Sequence, residues 1–90
     1  MTLFTLERKE DKLLITKLSE IMSYADLEDF IEETTDLELY QTADDKIEIV
    51  SDKEDLDLFI EQVKAHAVEE SISCTIKDTL LIFEDKAMEV

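Results

Sequence analysis

The chain contains no glycine, no proline and no asparagine, and that absence constrains its fold more than any motif it carries. These are the residues that most easily adopt special turn geometry. Reversals must therefore fall on aspartate and its neighbours, at Glu10-Asp11-Lys12, Asp44-Asp45-Lys46 and Lys77-Asp78. Loops built on type I turns are expected in preference to two-residue primed turns, which need positive φ. A phosphate-cradling loop is excluded, because its glycines are missing.

Between those turns the apolar residues keep clear periods. Leu3-Phe4-Thr5-Leu6 and Leu13 to Leu18 read as strands around Glu10-Asp11-Lys12, and Ser19 to Met22 as a connection or the early start of a helix. Ser23 with Asp26 offers an N-cap to a helix carrying Leu27, Phe30 and Ile31. That helix is expected to end near Thr34-Thr35, whose β-branched side chains weaken helix and favour strand. Leu37 to Gln41 and Lys46 to Val50 then read as a hairpin, with Ile47 and Ile49 on one face. Ser51 and Glu54 have capping-box spacing at the start of a second helix. Its apolar stripe is Leu56, Phe59, Ile60, Val63 and Ala67. Ile72 to Ile76 and Leu80 to Phe83 form a last hairpin, and Ala87 to Val90 a short tail.

The helix–hairpin unit occurs twice. Asp26-Leu27-Glu28-Asp29-Phe30-Ile31-Glu32 matches Asp55-Leu56-Asp57-Leu58-Phe59-Ile60-Glu61, and each run precedes a hairpin. The order (β)βαββαββ makes the fold α+β: a largely antiparallel sheet of five to six strands, two helices on one face, in a single domain over residues 1–90.

Composition narrows the function. At 44% hydrophobic the chain is too apolar for a disordered tail despite its formal net charge of −16. No apolar run approaches the roughly 20 residues of a membrane span, and Met1 to Leu18 lacks the pattern of a signal peptide, so a cytoplasmic protein is expected. The charge disfavours direct nucleic-acid binding, because phosphates are repelled, and favours a basic protein partner. Eight lysines beside Arg8 argue against halophilic adaptation as its origin. Cys74 is the single cysteine, so no intramolecular disulfide forms. With one histidine and one cysteine, neither a metal site of the usual ligands nor any cofactor is expected. Asp44, Asp45, Glu48 and Asp52 lack the EF-hand pattern and its glycine. His66 reads as a packed residue at the edge of the apolar stripe, Cys74 as a buried small hydrophobe, and Tyr24 and Tyr40 as core-edge residues. No constellation here makes an enzyme.

One resemblance covers about Leu13 to Glu89. Ser23-Tyr-Ala-Asp-Leu-Glu-Asp-Phe-Ile31, Leu39-Tyr40, Lys46-Ile-Glu-Ile-Val50, Glu69-Glu-Ser-Ile-Ser-Cys-Thr-Ile76 and Leu80-Leu-Ile-Phe-Glu-Asp-Lys-Ala-Met-Glu89 follow in one order. This series resembles the C-terminal domain of the MecA-type adaptor proteins. The resemblance implies a non-enzymatic adaptor that docks on a ClpC-type AAA+ unfoldase and modulates its assembly or substrate delivery in regulated proteolysis. Lys77-Asp78-Thr79 stands where that family has a glycine-containing turn. Docking on the unfoldase, rather than substrate capture, is the role expected of these residues.

The acidic side chains are the strongest signal in the residues themselves. Asp26, Asp29 and Glu33 fall on one face of the first helix, and Glu54, Asp57 and Glu61 on one face of the second. Like charges at these spacings cost a few tenths of a kcal/mol per pair, which a basic partner would relieve. With Glu69, Glu70, Glu84 and Asp85, which bracket the last hairpin, Glu54, Asp57 and Glu61 are the expected partner-binding residues. The alternative is an acidic DNA mimic, phage-encoded, that inhibits a basic nucleic-acid-binding protein. It requires carboxylates spread over a long continuous surface.

Overall fold

The computed structural model describes residues 2–85. Their elements are β1 (Thr2–Arg8), β2 (Lys12–Lys17), α1 (Tyr24–Thr34), β3 (Tyr40–Ala43), β4 (Lys46–Val50), α2 (Lys53–Glu69), β5 (Ile72–Lys77) and β6 (Leu80–Asp85). The expected tail Ala87 to Val90, and the resemblance beyond Asp85, lie outside the described residues. The fold is α+β, with one six-stranded sheet of order β3-β4-β2-β1-β6-β5. Every pairing in it is antiparallel.

That order carries the repeat. β2 and β1 form the centre; each is flanked by the second strand of the hairpin that follows a helix, with the first strand of that hairpin outermost. Register fixes the sidedness. Phe4 opposes Phe83, Leu6 opposes both Ile15 and Leu81, Leu13 opposes Ile49, and Ile15 opposes Ile47. Directly opposed residues point to the same face. These side chains and the apolar stripes of both helices form one buried cluster. One face of the sheet is therefore the core and the other is open, as an antiparallel sheet permits.

In β1 both Leu3 and Phe4 are buried, which strict alternation forbids. The register shifts between Thr2 and Phe4 opposite β6, and this bulge turns two successive side chains inward. Phe4 then stacks on Phe83, with centroids 4.6 Å apart, and meets the edge of Phe30 at 5.7 Å. An aromatic cluster so placed ties the sheet's centre to α1.

Helix α1 begins as expected. The Ser23 side chain accepts from the Asp26 amide at 3.1 Å, and the Asp26 carboxylate accepts from the Ser23 amide at 3.3 Å. At its end Thr34 donates its hydroxyl back to the Phe30 carbonyl at 2.8 Å, and Thr35 is extended. Helix α2 corrects the expectation of a Ser51–Glu54 capping box. Its N-cap is Asp52, whose carboxylate accepts from the Asp55 amide at 2.9 Å, while the Ser51 hydroxyl bonds the Asp55 carboxylate. A carboxylate satisfies the orphan amide as well as a hydroxyl does, and adds charge attraction at the positive helix end.

The first internal hairpin is also corrected. Its outer strand starts at Tyr40 rather than Leu37, and all four of its residues are exposed. Thr35 accepts from the Leu37 amide, and Leu37 and Leu39 pack partly buried against the core. Burying two leucines outweighs extending an edge strand, so pairing is delayed until they are placed.

The turns divide. Asp44-Asp45 closes β3 to β4 without positive φ, and a register shift between Gln41 and Ala43 absorbs the misfit in twist. Asp78-Thr79 closes β5 to β6 as a two-residue loop, with Asp78 at φ 54°. That loop is of the kind the missing glycine argued against. Aspartate tolerates the left-handed region better than most residues.

Candidate docking surface

The layers differ in charge. Segments 19–39 and 51–71, which hold the helices, carry fifteen acidic residues against Lys53 and Lys64, a net of −13. The strands and their turns, from 2–18, 40–50 and 72–85, carry nine acidic residues against six basic, a net of −3. Most of the field of this protein thus originates on one side, over the helices.

Helix α2 spans about 25 Å at 1.5 Å per residue. Glu54, Asp57 and Glu61 are exposed along it. Two of these are committed within the chain. Asp57 lies 3.3 Å from Arg8, whose guanidinium also bonds the Lys9 and Glu10 carbonyls, stitching the β1–β2 turn to α2. Glu61 lies 3.3 Å from Lys64. Glu54 has no ion pair among the described residues.

The other four expected residues gather at one end of the molecule. Glu69 closes α2, Glu70 caps it, and Ile72 pairs with Asp85 and Ser73 with Glu84. They do not share a face. Phe83 points into the core, so Glu84 projects from the open face of the sheet, while Asp85 joins Glu70 on the helix side. There they meet Asp26 around a groove of about 320 Å³ floored by Leu3, Met22, Phe30 and Ile72. The sequence singled out the rim carboxylates but not this floor, because it is assembled from four separated segments.

Glu33 and Glu69 come together across His66. The imidazole packs on Phe30 with centroids 4.5 Å apart, its Nε2 3.4 Å from the Glu33 carboxylate and its Nδ1 3.8 Å from that of Glu69. This ring links α2 to α1 through one apolar contact, with Phe30, and one polar contact, with Glu33, while its contact with Glu69 stays within α2; it sits half-buried, as its place on the stripe implied.

Cys74 is half-buried against the core rather than fully buried. Burial pushes its thiol upward, with Lys64 pulling weakly the other way. The Tyr24 phenol is raised by burial and then by the neighbouring charge of Glu28, which accepts its hydrogen bond. Tyr40 is exposed on the edge strand, and its bond to Glu38 raises it too. Among the described residues no three His, Cys, Asp or Glu side chains are grouped as a metal site, and no helix is long and apolar enough to cross a membrane.

Fold and surface together define an antiparallel α+β protein with a one-sided acidic layer. Comparison with protein-family models, curated proteins and solved structures returned no match to this chain.

Proposed function

We propose that this protein is a non-enzymatic adaptor or regulator that docks through its acidic helical layer on a basic protein surface, with a ClpC-type unfoldase as the partner. The observation that carries the reading is the charge separation between layers, −13 over the helices against −3 over the strands. A one-sided field both steers a basic partner and orients it on encounter. The resemblance to the MecA-type domain supports the choice of unfoldase and a cytoplasmic setting, and its strand–helix–hairpin–helix–hairpin order agrees with the elements from β2 onward.

The test is a binding titration with a ClpC-type unfoldase, read together with its ATPase rate. Saturable binding and a changed rate are expected for the wild-type protein. Reversal of Glu69, Glu70 and Asp85 to lysine, the three on the helix side, should abolish both while the far-UV spectrum persists. Binding unchanged by the threefold reversal would remove these residues from the surface.

A second reading, inhibition of a basic nucleic-acid-binding protein by DNA mimicry, is favoured by shape. The molecule measures 39 × 24 × 23 Å, and 39 Å of duplex carries roughly 23 charges against the formal −16 here. Its mark is competition: duplex DNA should displace the protein from a nuclease or polymerase. Duplex DNA is not expected to displace it from an unfoldase.

A further inference from the structure

On the uncovered face of the sheet the charges of the described residues balance. Glu7, Glu48 and Glu84 project from it together with Lys12, Lys46 and Lys77, by strand alternation and register. At its centre Thr5, Leu14, Thr16 and Leu80 line a concavity of about 320 Å³. Leu14, Leu80 and Ile82 are only half-buried there, so this face keeps apolar area in contact with water.

One row across this face is self-complementary. Lys77 opposes Leu80, Leu80 opposes Glu7, Glu7 opposes Leu14, and Leu14 opposes Glu48. Read from β5 to β3, the row is therefore Lys77, Leu80, Glu7, Leu14, Glu48 and, on the outer strand, Tyr40, which opposes Glu48. A twofold axis through Glu7, along β1, sets Lys77 against Glu48 of a second copy and Leu80 against Leu14, with Tyr40 outside the overlap. On the axis Glu7 meets Glu7 of the second copy, a like-charge contact offset by Lys9, 3.4 Å from Glu7 in its own chain. An isologous interface needs this property, since the same patch must serve both partners.

We propose that a second copy of this chain covers the open sheet face, giving a twofold dimer with both acidic helical layers outward. Charge selects this arrangement over others. Sheets packed face to face lie about 10 Å apart and helices are about 10 Å thick, so the two helical layers stand about 30 Å apart. That is roughly three Debye lengths at 0.1 M salt, whereas contact through a helical layer brings a net of −13 directly against the partner. The five overlapping strands of about six residues present a footprint of roughly 500 Å², or about 1,000 Å² for the pair. This is the lower bound of specific interfaces and implies weak, concentration-dependent association.

Sedimentation equilibrium from about 10 to about 500 μM at 0.15 M NaCl tests the proposal. The mass should rise from the 10.5 kDa of one chain toward twice that value. Lys77→Glu alone, or Glu48→Lys alone, sets like charges across the axis and should raise the dissociation constant by at least about tenfold. The double variant Lys77→Glu/Glu48→Lys restores the pairing and should recover the wild-type constant. Both positions are on the surface, and circular dichroism checks that each variant folds. A wild-type chain that stays at 10.5 kDa throughout, or a double variant as weak as the singles, overturns the proposal.

Discussion

Ser71 joins α2 to β5 and takes φ 60°, the left-handed region in which glycine is the usual helix-ending residue. Its amide donates to the Val68 carbonyl at 3.2 Å, and the Glu70 amide donates to the His66 and Ala67 carbonyls at 3.1 Å. The helix end is thus satisfied, but by a residue with a β-carbon. Holding a non-glycine residue there costs about 1–2 kcal/mol. Ser71→Gly removes that cost and gives back roughly 0.5–1 kcal/mol through the greater entropy of the unfolded chain. The Ser71 side chain is exposed, so little packing is lost. A net stabilisation of about 0.5–1 kcal/mol is expected, a rise in Tm of about 2–8 °C for a chain of this size. Ser71→Val adds β-branching in the same region and should lower stability by more than 1 kcal/mol. Urea titrations followed at 222 nm give both differences. A glycine variant less stable than wild type, or glycine and valine variants indistinguishable from each other, would refute the strain argument.

Two further outcomes follow from the packing and the titrating groups. Phe83, fully buried and stacked on Phe4, loses its ring in Phe83→Ala, at a cost of about 3–5 kcal/mol; against the roughly 5–13 kcal/mol typical of 90 residues, the urea midpoint should fall by at least a fifth. The raised thiol of Cys74 and the raised phenols of Tyr24 and Tyr40 all bind protons more tightly folded than unfolded, so stability should be full below the free-thiol pKa of about 8.5 and decline above it. Iodoacetamide should also modify Cys74 more slowly than a free cysteine at pH 8.5; a rate equal to that of the free thiol would contradict its burial.

The lesson of the turns is that a missing residue type limits geometry without forbidding it. Absence of glycine argued for right-handed loops, and Asp44-Asp45 obeys, with a bulge to absorb the twist. Asp78 and Ser71 enter the left-handed region all the same, because hairpin register and the chain's exit from α2 demand it and the surrounding contacts outweigh the local cost. The same competition moved the start of β3. Alternation at Leu37-Glu38-Leu39 reads as strand, but the two leucines gain more from packing against the core than from pairing at the sheet edge.

By itself, the sequence determined the class of fold, its element order and the composition of the core. Those follow from period alone: 3.6 along Leu27, Phe30 and Ile31 and along Leu56, Phe59 and Val63, and 2 along Ile47 and Ile49. It also determined that the surface is acidic. Only the tertiary structure decided where that charge goes. Pairing β6 beside β1 carries Asp85 to Glu70 and Asp26 and sends Glu84 to the opposite face. The packing of α1 against α2 sets Glu33 and Glu69 on either side of His66, and Arg8 claims Asp57 across forty-nine positions. Such neighbours are distant in the chain and carry no periodic signal. The docking surface is therefore a property of the pairing order, set by which strands the core brought together.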